Sequence, residues 1–110
     1  MNNNILTEIK TYLNVSDSVD DYDQEIINII NISLFKMRDY GVPFIIQNIT
    51  PETTWSELVS EKYLHIIKSL LQIKCLLLFE PPQNATVYKN YKDEDMEITR
   101  RLIDYIEREK

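Results

Sequence analysis

The stretch from Cys75 to Val87, CLLLFEPPQNATV, holds the sharpest break in the chain. A strongly apolar run ends at Phe79, meets Glu80 and two prolines, and restarts in polar residues. Neither Pro81 nor Pro82 can donate to a helical ladder, and each pushes its preceding residue out of the α region. The stretch therefore reads as a rigid corner between two helices. The helix before it spans about Glu61 to Phe79. The one after it starts at a cap on Asn84 and runs from about Ala85 to Glu109.

The helix before the corner is apolar on most sides. Tyr63, Ile67, Leu70, Leu71 and Leu78 define one face, and Ile66, Ile73 and Leu76 another. Such a helix is central in a bundle or is covered by a second chain. At 1.5 Å per residue it would be roughly 30 Å long. In the last helix Val87, Tyr91, Ile98, Leu102, Tyr105 and Ile106 fall near one face. Its charged middle, Lys92 to Glu97, is the expected place for fraying.

Upstream, Ile5, Leu6, Ile9, Tyr12 and Leu13 have helical spacing, predicting a helix from near Asn4 to Asn14. An acidic, cap-rich turn follows, with Ser16, Asp17, Ser18, Asp20 and Asp21. A second helix is expected from Val19 or Asp20 to Tyr40, on a stripe of Tyr22, Ile26, Ile29, Ile30, Leu34 and Met37. Ile27 and Ile32 lie off that stripe and suggest a second packed face. Gly41 and Pro43 stop the helix. Phe44 to Ile49 is apolar without a period, so it is either a short strand or an extended lid. Thr53 or Thr54 would cap a short turn through Trp55 and Leu58. The expectation is one all-α domain over residues 1–110: a bundle of about four helices, with the second and third of these four as the longest packed pair.

Composition narrows the function. The chain has 110 residues, 44% hydrophobic and 27% charged, with one Gly. Net charge is −6, from 18 acidic and 12 basic residues. A surface built to bind nucleic acid would need a basic face, and the same surplus opposes an anionic membrane. The opening Met-Asn-Asn-Asn lacks the basic and apolar regions of a signal peptide. The run Tyr63 to Phe79 is too short for a bilayer span and contains His65, Lys68 and Lys74. N-x-S/T sequons at Asn14, Asn31, Asn48 and Asn84 read as chance matches in an Asn-rich chain. The lone Cys75 reads as a small core residue in a reducing compartment.

No catalytic or metal set emerges, and no cofactor is expected. His65 and Cys75 would lie about three turns apart on one helix, too far for a nucleophile–base pair. Glu61 and His65 are four apart, but two ligands are not a metal site. The acids from Asp17 to Glu25 lack the Gly and terminal Glu spacing of a calcium loop. A single Gly excludes a Gly-rich phosphate loop. Lys89, Lys92, Arg100, Arg101 and Arg108 are interleaved with acids and read as a solvated face. The unusual feature is seven tyrosines. Tyr88 and Tyr91 sit early in the last helix, with Trp55 and Phe44 in the connections. Two readings stay open for them: contacts to another protein, or cover for a small core. Phe44, Ile45, Ile46, Trp55, Tyr88 and Tyr91 are therefore the candidate interface residues.

The segment Leu77-Leu78-Phe79-Glu80-Pro81-Pro82, followed by Val87, Ile98 and the Arg101-Leu102 pair, resembles the head–tail connector family of tailed bacteriophages, also called adaptor or head-completion proteins. The opening order is similar too: a short helix, an acidic turn, and a long helix ending in Tyr40-Gly41. The resemblance implies a small helical structural protein of a phage or prophage, not an enzyme. It would form a homo-oligomeric ring under the portal protein, extend the DNA channel without binding DNA specifically, and offer a platform for a tail or stopper protein. It would be assembled in the host bacterial cytoplasm and reside in the virion. The competing reading, from another class, is a small acidic helical binding module of inhibitor or antitoxin type.

Overall fold

In the computed structural model residues 3–109 are described, as five helices: α1, Ile5–Tyr12; α2, Asp23–Arg38; α3, Trp55–Leu58; α4, Glu61–Phe79; and α5, Ala85–Arg108. Met1, Asn2 and Lys110, which the domain expectation and the reading of the chain's opening include, lie outside the described residues. The described residues contain no strand; one isolated antiparallel bridge joins Asn4 and Thr54. The architecture is the expected all-α bundle, with α4 packed chiefly on α5 and α2, and α1 set against both α2 and α4.

Local chemistry explains the boundaries. Asn4 caps α1, its side chain accepting from the Thr7 N–H at 2.9 Å. Asn84 caps α5 by accepting from the Thr86 and Val87 N–H groups. Thr54 and Glu57 form a capping box on α3, in which the Glu57 carboxylate accepts from the Thr54 N–H at 2.9 Å. That bond holds the Glu57 carboxyl below its ordinary range. Gly41 ends the turn after α2 at φ +96°, a conformation costly for other residues. The corner behaves as read: the last rung of α4 is Glu80 N–H to Leu76 O at 3.0 Å, and the prolines stand outside the ladder.

Other expectations shift. α1 stops at Tyr12 rather than Asn14, because Asn14 leaves the helix at φ +61°. α2 begins at Asp23, later than Val19 or Asp20, because the Val19 carbonyl is taken by Lys10 of α1 and the chain turns from Asp20 to Asp23, with Asp23 N–H donating to Asp20 O at 3.1 Å. The longest packed pair is α4 with α5, not α2 with α4, since α5 has 24 residues. α5 also runs unbroken through Lys92–Glu97, where Asp95 is tied to Lys74 of α4 at 3.1 Å.

The core gathers Ile5, Ile9, Ile26, Ile30, Leu34, Met37, Ile67, Leu70, Leu71 and Leu102. Ile27 joins it, but Ile32 does not and is 52% exposed. Leu78, placed by periodicity on the main stripe of α4, is 51% exposed. The segment from 42 to 54 is an irregular cover rather than a strand, with Phe44 and Ile46 partly buried against the core. Asn31 of α2 holds it, donating to Ile49 O at 3.3 Å and accepting from Ile49 N–H at 2.8 Å. Non-repetitive backbone near a core needs such partners. Asn31→Ala is accordingly expected to destabilise the fold by about 1–3 kcal/mol. Chemical denaturation should show the loss; an unchanged midpoint would mean that water replaces the clamp.

Candidate functional site

The residues around the corner divide between two flanks. Successive side chains on a helix point about 100° apart, so Leu78 and Phe79 leave α4 in different directions. On one flank, Leu77 and Leu78 line a hollow with Tyr88 and Lys92 of α5, Ser33 and Lys36 of α2, and Tyr40 in the turn after α2. Tyr40, Lys74 and Asp95 also belong to an adjoining hollow that continues along α5 past Met96, Arg100 and Ile103. The two hollows make one groove between α2, α4 and α5. The ion pair of Lys74 and Asp95, with side chains 13% and 15% exposed, lies where they join.

On the other flank, Phe79 and Glu80 line a second hollow with Leu13, Val15, Tyr22 and Glu25. Phe79 packs edge-on against Tyr22, with ring centroids 5.7 Å apart at 77°. This contact joins the end of α4 to the start of α2. Pro81 is exposed and Pro82 partly buried. The corner thus stands between a groove and a hollow.

The interface candidates do not form one patch. Tyr88 lies in the groove and is 38% exposed. Tyr91 turns partly inward, toward α1: Tyr91 and Glu94 face the Tyr12 hydroxyl, whose pKa is raised first by burial and then by their charges. Ile45 is 62% exposed, while its backbone N–H bonds to Leu58 O at 2.7 Å. Trp55 is a correction. It is fully buried, with Lys68 Nζ 5.2 Å from its ring centre, so it serves the core and not a contact surface. A short helix places it against α4, and a small core closes on its largest side chain.

The sequence reading also missed Lys10. Its side chain is 2% exposed and pairs with Asp23 at 2.8 Å. It also donates to Val19 O at 2.7 Å and Asp17 O at 3.3 Å, matching its three N–H bonds to three acceptors. The acidic turn is wrapped around this buried ammonium.

Cys75 sits buried inside α4. Burial pushes its thiol up from 9.0 to about 12. The reactive form is the thiolate, so an alkylating reagent should label the native chain only as it unfolds. The neutral thiol is favoured in the fold, so this stabilisation is complete below pH 9.0 and is lost as pH rises toward about 12. Denaturation followed across that window should show stability falling with pH; rapid labelling of folded protein at neutral pH would contradict the burial argument.

Among the described residues no three or more His, Cys, Asp or Glu side chains are grouped to hold a metal. No helix among them is long and apolar enough to cross a membrane. Exposed apolar side chains and charged groups stand on two sides of the corner. A family model described as "Phage connector protein" matches residues 5–109. No curated protein and no solved structure matches the chain.

Proposed function

The chain belongs to the phage connector protein family, and from that premise we propose that it is a ring subunit docked under the portal, continuing the DNA channel and joining the capsid to the tail or a stopper protein. The family is a structural one, which supports a role as a virion component that assembles with other phage head and tail proteins. The observation that carries the finer reading is the α4–α5 hairpin with its proline corner. Two long helices packed on each other form a stiff rod whose bend is set by Glu80, Pro81 and Pro82. A part that recurs around a closed ring needs such a fixed angle, because each subunit's deviation repeats at every contact.

The charge suits a channel component. With net charge −6 the chain has few phosphate contacts to offer, and passing DNA would release few counterions on touching it. Assembly would take place in the host bacterial cytoplasm before head and tail join. The family match lends nothing to the alternative of an acidic inhibitor or antitoxin.

The test is deletion of the gene from the phage or prophage that carries it, followed by electron microscopy of the lysate. The expected result is separate filled or leaking heads and free tails, rescued by the gene in trans. Normal joined particles from the deletion would sink the connector reading.

A further inference from the structure

Lys36, Lys92, Arg100 and Arg108 make no ion pair or hydrogen bond among the described residues, whereas most of the other described cations are engaged. The first three all line the groove between α2, α4 and α5. Lys74 and Asp95 cancel each other there, leaving Asp104 as the one acid against these three cations. Leu78 and Met96, 51% and 68% exposed, add apolar surface. The hollow on the far flank of α4 has the opposite character. Among the described residues Glu25 and Glu80 make no ion pair, no cation lines the hollow, and Asp20 and Asp21 precede Tyr22 in the chain. Its apolar part is Tyr22, 48% exposed, set edge-on against Phe79.

We propose that these two surfaces are the two halves of one contact, in which the acidic hollow at Tyr22, Glu25, Phe79 and Glu80 of one copy seats against the cationic groove at Lys36, Lys92 and Arg100 of the next. The inference deepens the ring reading and takes its biological meaning from it. Charge decides the geometry. A two-fold contact, groove on groove, sets Lys92 and Arg100 against their own copies. Hollow on hollow does the same to Glu25 and Glu80. Juxtaposed like charges oppose association, and opposite ones steer and register it. The favourable arrangement is head-to-tail, with different patches on the two partners, and a head-to-tail contact closes into a ring when its rotation permits. The patches leave α4 from consecutive residues, Leu78 and Phe79, so the proline corner sets the angle between the incoming and outgoing contacts.

The experiment uses two charge-reversal variants of the full chain, Lys92→Glu/Arg100→Glu in the groove and Glu25→Lys/Glu80→Lys in the hollow. All four residues are exposed, so circular dichroism and thermal melts should match wild type. Should a reversal misfold, the neutral pairs Lys92→Gln/Arg100→Gln and Glu25→Gln/Glu80→Gln replace it. Sedimentation velocity is run at rising concentration in low salt. Wild type is expected to self-associate, and added salt to weaken it. Each reversal alone should lower the association constant about tenfold or more. An equimolar mixture of the two reversals should restore it, because every contact then pairs opposite charges again, and the fourfold variant should restore it alone. A wild-type chain that stays monomeric at millimolar concentration overturns the proposal. So does association that ignores the reversals, or reversals that neither mixture nor fourfold variant rescues. The deletion phenotype is read separately, so rescue of association with normal head–tail joining in the deletion would retain this contact and reject the connector reading.

Discussion

Replacing Lys10 with Met should lower stability by about 3 kcal/mol, toward the low end of what breaking a buried ion pair costs. The buried stem has room for a side chain of that length, so the loss is electrostatic rather than a cavity. Asp23 is left without its cation, though its side chain keeps 27% exposure and some access to water, which moderates the penalty. Two carbonyl oxygens, of Asp17 and Val19, lose a charged donor at the same time. For a chain of this size roughly 4 °C of melting temperature goes with each kcal/mol, so a drop of about 12 °C is expected. The reciprocal change, Asp23→Asn, strands the ammonium instead. A double-mutant cycle should return a coupling of more than about 1 kcal/mol, since the groups are in contact. A Lys10→Met protein melting within a few degrees of wild type would show that the turn holds itself together without the ammonium.

That lysine also shows where reading a sequence stops. Phe79-Glu80-Pro81-Pro82 and Asn84 delimit α4 and α5 because their effects are local: no donor, restricted φ, a side-chain cap. The cap of α3 was legible only as Thr53 or Thr54, and the structure places it at Thr54. Lys10 was not legible, because a lysine is ordinarily a surface residue. Its one signal was position, four after Leu6 and three before Leu13, on the apolar stripe of α1 and followed by an acid-rich turn. Trp55 misled in the opposite direction. In a connection it resembles a contact residue, yet α3 delivers it wholly into the core. The segment from 42 to 54 has no period to read because a distant side chain, Asn31, satisfies its backbone. The cationic groove was hidden most thoroughly. Along the chain Lys92 is followed by Asp93, Glu94 and Asp95 and looks like part of a balanced surface. Only the packing of α5 on α4 turns Asp95 onto Lys74 and leaves Lys92 lining the same hollow as Lys36.

Replacing Pro81 and Pro82 together with Ala should separate folding from assembly. The stripes that pack α4 on α5 and α2 are untouched, so helix content should persist. The unfolded chain gains freedom at two positions, which costs up to about 1 kcal/mol per site where the native φ suits proline. That is a small part of a typical domain stability of about 5–15 kcal/mol. The corner itself changes more. Glu80 now sits at φ −147° and ψ 71°, held off the helical region by the proline that follows. With alanine there, α4 is free to continue past Phe79, and its next turn would redirect Glu80 within the hollow it lines with Tyr22 and Glu25. A small rotation of that kind leaves a monomer intact. In a ring it alters the angle between two contacts that leave α4 on either side of the corner, and the misalignment accumulates around the circle. The expected result is a melting temperature within about 8 °C of wild type together with loss of most head–tail joining in a complementation assay. A double mutant that joins heads to tails as well as wild type would show that the corner only terminates a helix.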